Sequence, residues 1–127
     1  MSNEYINIER LEVYSLAREL SRVGWGIYNS LAYRDVKVMG DQFIRSMDSI
    51  GANIIEGYGR YHYLDKVKFY YIARASLQES CGHWLELLLE RAKISEENYH
   101  EIKDLSQKLQ IKLNNFITAT KKAKYDK

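Results

Sequence analysis

Apolar residues recur at steps of three and four along four stretches of the chain, which predicts four amphipathic helices. Val13, Leu16, Ala17, Leu20, Val23, Ile27, Tyr28 and Leu31 fall on one stripe of a helix over about residues 8–32. After a short connection at 33–36, a second helix is expected over about 37–58, with Phe43, Met47, Ile50 and Ile54 on its stripe and Ile44 and Ile55 widening it. Gly57, Gly59 and the stretch to Tyr63 form its stop. The third helix, about 64–92, carries Lys66, Tyr70, Ala73, Leu77, Cys81, Trp84 and Leu88 along its seam, and Leu85, Leu87 and Leu89 make its end apolar on several sides. The fourth, about 95–122, opens on Ser95 as N-cap, with Glu96 and Glu97 where the helix dipole favours acids. Its stripe is Tyr99, Ile102, Leu105, Leu109, Leu113, Phe116 and Thr120, and residues 121–127 read as a frayed basic tail. Long helices joined by short connections pack antiparallel. The expected fold is therefore all-α, a single up-down antiparallel four-helix bundle spanning residues 1–127.

The second helix has a further feature. Gln42, Ser46, Ser49, Asn53, Glu56 and Arg60 form a polar row beside the apolar one, with the small residues Gly51 and Ala52 between. A glycine inside a helix costs up to about 1 kcal/mol against alanine, so Gly51 invites a packing explanation. The row is either a solvated face or a polar network buried between helices or subunits. A buried Glu56 needs a cation, and Arg74 of the third helix is the expected partner for Asn53 and Glu56.

Composition narrows the classes. There is no proline, so long uninterrupted helices are permitted, and 11 tyrosines suit interfaces more than deep cores. A net charge of +2 argues against a protein that coats nucleic acid over its whole surface. The lone Cys81 excludes an intrachain disulfide and a multi-cysteine zinc site. The polar start, with three acids in residues 1–12, predicts no signal peptide, and no apolar run is long enough for a membrane span. A cytoplasmic location is the resulting expectation.

The segment Ser49-Ile-Gly-Ala-Asn-Ile-Ile-Glu-Gly-Tyr-Gly-Arg60 resembles the S-I-P-S-N-I-A-E-G-x-G-R signature of the 23S rRNA-intervening sequence protein family, also called the four-helix bundle protein family. Phe69-Tyr-Tyr-Ile-Ala-Arg-Ala-Ser-Leu-Gln-Glu79 resembles that family's F-L-x-I-A-R-G-S-L-x-E block, and Leu11-Glu-Val-Tyr-Ser-Leu-Ala17 its L-x-V-W-x-x-A opening. Gly51, Ala75 and Tyr14 depart from the family's usual Pro, Gly and Trp. The resemblance implies a bundle that assembles into homopentameric rings and has no enzymatic activity. It also implies likeness to the accessory variability proteins of diversity-generating retroelements, which bind a reverse transcriptase and nucleic acid. The family's recurrent polar positions correspond to Asn53, Glu56, Arg60, Arg74 and Glu79, and a structural polar network of Asn53, Glu56, Arg74 and Glu79 is the expectation.

Enzymatic alternatives find little support. A di-iron bundle needs two Glu-x-x-His motifs and two further inward glutamates; the chain has only Glu97-Asn-Tyr-His100, at a helix start. Glu79 and His83 make one edge of a metal site without a second, and Cys81 and His83, two apart, point away from each other. No catalytic residue, metal or cofactor is expected. The alternative retained is a core enzyme centred on Glu56, Arg74 and Glu79. For nucleic acid, Arg60, Tyr61, Tyr63, Lys66 and Lys68 interleave cations and aromatics around the second turn, where rings stack bases and cations take phosphates. The competing reading of that segment is a tyrosine-rich loop packed against a neighbour. The residues and the resemblance together point to a homo-oligomeric scaffold that binds structured RNA or DNA, or, as the resemblance implies, an RNA-handling partner such as a reverse transcriptase.

Overall fold

The computed structural model describes residues 11–123, and these form four helices with no strand among them. Helix α1 is Glu12–Ser30. Helix α2 runs over residues 33–58, with a π-helical turn at Val36–Gly40 before its main body Asp41–Tyr58. Helix α3 covers residues 63–90 and is interrupted by a longer π-helical stretch at Gln78–Trp84. Helix α4 is Glu96–Ala123. The expected beginning of α1 at residue 8 and the basic tail beyond Ala123 lie outside the described residues.

The apolar seams meet in one core. Phe43, Met47, Ile50 and Ile54 of α2 are fully buried, as are Ala17 and Leu20 of α1, Ala73, Leu85 and Leu88 of α3, and Ile102, Leu109 and Leu113 of α4. Each helix packs on two others: α1 on α2 and α4, α2 on α1 and α3, and α3 on α2 and α4. Between α1 and α2, the Tyr28 hydroxyl donates to Asp41 at 2.7 Å. Between α2 and α3, Ser76 donates to Ser49 at 3.0 Å. Between α3 and α4, Tyr99 donates to Glu86 at 2.6 Å and Arg74 to Asn114 at 3.0 Å. Hydrogen bonds from Tyr99 and Lys103 hold the Glu86 carboxyl below its ordinary pKa.

One boundary and one stripe differ from expectation for physical reasons. Residues 33–36, expected as a connection, are already helical, because the break is confined to Leu31 and Ala32 in extended backbone and nothing after them stops a helix. On α4, Ile117 and Ser106 are buried while Phe116 is only partly so. The stripe rotates by one position toward the carboxyl end, and Phe116 lies against Tyr70 at the seam's edge, with ring centroids 4.9 Å apart. Ser95 caps α4 as its position predicts, its hydroxyl accepting from the Asn98 amide at 3.0 Å.

The π-helical stretch of α3 has a visible consequence. It shifts the i→i−4 ladder by one residue, and the Cys81 carbonyl accepts from Lys103 of α4 at 3.0 Å. Residues five apart share a face there, so Trp84 Nε1 reaches back to Glu79 at 2.9 Å. Burial pushes the Cys81 thiol up to about 11, against smaller opposing effects of Ser80, Lys103 and Ser106.

Candidate functional site

Helix α2 presents two different surfaces around its polar row. On the α3 side, a Cβ on Gly57 would stand 2.7 Å from Tyr70 Cε1, 2.9 Å from Phe69 Cβ and 3.0 Å from the Lys66 carbonyl oxygen. Only glycine lets the helices approach this closely. On the α1 side, an open groove of about 330 Å³ lies between the outer faces of α1 and α2, lined by Tyr14, Arg18 and Ser21 of α1 and by Asp48, Gly51, Ala52 and Ile55 of α2. Arg18 donates to the Tyr14 hydroxyl at 2.9 Å across its rim. A Cβ on Gly51 would find Tyr14 Cε1 at 3.5 Å and Ala17 Cβ at 3.6 Å, which is ordinary contact. Gly51 is thus not required by packing within the chain.

The expected polar network takes another form. Glu56 pairs with Arg60, one turn along its own helix, at 2.7 Å, and both side chains are exposed. Asn53 donates to the Ser49 carbonyl at 2.8 Å and to the Ser49 hydroxyl at 2.9 Å. Arg74 turns instead to Asn114 of α4 and lies over the Tyr71 ring, 4.9 Å from its centroid. Glu79 accepts from Trp84. The pairing of Arg74 with Asn53 and Glu56 is therefore corrected: an i,i+4 arginine is within reach of Glu56 without any tertiary contact, and Arg74 projects toward α4 rather than α2. Glu56, Arg74 and Glu79 go to separate partners and do not converge on one centre. Among the described residues, no group of three or more His, Cys, Asp or Glu is arranged to hold a metal ion.

The Arg60–Lys68 turn is partly committed to the fold. Lys66 Nζ donates to the Tyr58 carbonyl at 2.8 Å, and burial lowers its pKa. It satisfies one of the open carbonyls at the end of α2. Arg60 lies over the Phe69 ring at 4.7 Å as well as on Glu56. Tyr61 is 84% exposed and sits edge-on to His62, Lys68 is exposed, and Tyr63 is half-buried. Sequence reasoning did not anticipate the capping role of Lys66 or the Tyr14–Arg18 rim. Tyr14 and Arg18, at i,i+4 beside the apolar stripe of α1, were the available signal for the rim.

The sequence profile of the 23S rRNA-intervening sequence proteins matches residues 9–115. The chain belongs to that family. The match takes in the Gly51–Ala52 groove, the Gly57 approach and the Arg60–Lys68 turn. A crystal structure of a protein of unknown function from the S23 ribosomal protein family of Bacteroides thetaiotaomicron is similar, with a TM-score of 0.74 and 29% identity over 83% of this chain and 97% of that one. No curated protein matches. No helix among the described residues is long and apolar enough to cross a membrane.

Proposed function

We propose that this family member is a non-enzymatic, homo-oligomeric scaffold, an up-down antiparallel four-helix bundle that assembles through the α1–α2 groove, with a pentamer as the expected ring. The order of the interhelix bonds supports the topology: Ser49–Ser76 and Tyr58–Lys66 pair α2 with α3 in opposite directions, as Arg74–Asn114 and Glu86–Tyr99 do for α3 and α4. The groove carries the assembly reading. Its exposed Ala52 and half-buried Ile55 lie within the family signature, and no helix among the described residues covers them. Leu64 and Ile72 are two further exposed apolar residues on α3, with Lys68 between them. The assembled bundle works in the cytoplasm and presents Arg60, Tyr61 and Lys68 of each copy to RNA, DNA or a nucleic-acid-handling protein such as a reverse transcriptase. Repetition around a ring strengthens weak individual contacts.

Light scattering at micromolar concentration tests the assembly. A mass several times 15.0 kDa is the expected result, and a monomer refutes the scaffold. Binding of a structured RNA across a salt series tests the partner. Affinity should fall with salt and weaken in Lys68→Ala and Arg60→Ala, whereas no binding at low salt removes the nucleic-acid reading. Lys66 is a poor probe because its ammonium is tied to the Tyr58 carbonyl.

A further inference from the structure

The α1–α2 and α3–α4 connections meet at one end of the bundle and bound an open cleft of about 640 Å³. Arg34 and Asp35 reach it from the start of α2, Arg91 and Lys93 from the end of α3, and Val38 and Met39 add an apolar wall. Lys93 lies 3.2 Å from Asp35, whose side chain is only 13% exposed. That pair is neutral, and it leaves the two exposed guanidiniums of Arg34 and Arg91 as a surplus of two positive charges on the lining. Glu90 precedes Arg91 in the chain and is exposed, but it is not part of the lining.

The backbone that brings the α3 side here is unusual. Ala92 has φ 56°, the left-handed region where glycine is the ordinary occupant. Its amide bonds to the Leu89 carbonyl at 3.0 Å, and the Lys93 amide to the Leu88 carbonyl at 2.8 Å. This reversal ends α3 and sets Arg91 and Lys93 on either side of Ala92, both lining the cleft. Non-glycine residues adopt this conformation only rarely.

We propose that this cleft binds a phosphomonoester, either on a free nucleotide or at the phosphorylated end of an RNA strand. A phosphomonoester carries about −1.5 to −2 at neutral pH, which matches the surplus on the lining. Guanidinium forks fit phosphate oxygens in pairs. The apolar wall of Val38 and Met39 suits what the phosphate is attached to, and the volume is in the range of small-molecule sites, roughly 300–1,000 Å³. The site is independent of the Arg60–Lys68 turn, which belongs to the α2–α3 connection, so either can fail without the other.

Calorimetric titration of the whole chain with 5′-AMP and with adenosine at low salt tests the proposal, alongside a short RNA bearing a 5′-phosphate and the same RNA with a 5′-hydroxyl. The expected result is that phosphate strengthens binding at least ~10-fold in one or both pairs. Arg34→Gln and Arg91→Gln should each weaken the phosphorylated probe about 10-fold, while Lys108→Gln, on the exposed face of α4, leaves it unchanged. Thermal melts of the two arginine variants should overlay the parent, because both side chains are on the surface. Discrimination confined to AMP assigns the site to nucleotides, and tighter discrimination between the RNAs assigns it to strand ends; both support the site. Equal binding of phosphorylated and unphosphorylated probes in both pairs overturns it, as does phosphate-dependent binding that neither arginine substitution alters.

Discussion

Gly51 and Gly57 stand less than two turns apart on α2, and both lie in the segment that carries the family signature. Their surroundings are opposite. Gly57 is pressed against Tyr70, Phe69 and the Lys66 carbonyl, so that even a methyl group has no room. Gly51 faces Tyr14 and Ala17 at distances a methyl group accepts, beside a groove that the chain leaves open. Two glycines in one motif therefore answer to different demands. The first is required by the fold of a single chain. Gly51, by contrast, carries a helix-propensity cost that its own packing does not demand, and it lies beneath the groove next to the exposed Ala52.

The largest test removes the partner that defines the tight side. Tyr70 is 1% exposed and packs against both Gly57 and Phe116. Tyr70→Ala should cost about 3–5 kcal/mol, as large aromatic truncations in cores do, read as a lower midpoint in urea. Next, Gly57→Ala should destabilise by about 1–3 kcal/mol, because overpacking outweighs the gain in helix propensity. A Gly57→Ala protein as stable as the parent would show that the α2–α3 seam opens freely, and the contrast with Gly51 would collapse.

Further along α3, Cys81 is 3% exposed within the π-helical stretch. Burial raises its thiol from 9.0 to about 11, so the folded chain holds a proton that the unfolded chain releases. Stability is then unaffected by this group below about pH 9 and falls as pH rises from there through the folded value. Between pH 8 and pH 10 the loss should be on the order of 1 kcal/mol, and Cys81→Ala should flatten that limb of the profile. If the limb has the same slope in Cys81→Ala, the thiol is not sealed.

These surfaces were unequally legible in the sequence. The seams were readable because Phe43, Met47, Ile50 and Ile54 keep the helical period and all reach zero exposure. Ser95 was readable because an N-cap is a local device. The π-helical stretches were not, since one extra residue in a turn leaves no compositional mark, and with them went the Glu79–Trp84 and Lys103–Cys81 bonds. Glu56 was assigned a distant cation, Arg74, where a near one, Arg60, sufficed. Periodicity shows that a polar side chain shares a face with others, but not which way a long arginine swings between two neighbouring helices. The groove at Gly51 and Ala52 was half legible: the small residues were evident, but only the structure separates a glycine with room for a methyl group from a crowded one.

The smallest effects on the fold make the sharpest test of that separation. Gly51→Ala should stabilise the isolated chain by up to about 1 kcal/mol, since the methyl meets nothing closer than 3.5 Å and helix propensity improves. Ala52 is exposed on the groove, so Ala52→Glu should leave stability within about 0.5 kcal/mol of the parent. If the groove is the assembly surface, the added charge is buried at the contact between copies beside Asp48, with Arg18 the one cation of the lining, and a surplus carboxylate there is costly. Ala52→Glu should then sediment as a folded monomer at concentrations where the parent is assembled. An Ala52→Glu protein with the parent's mass would place the contact elsewhere, and Gly51 would lose its explanation.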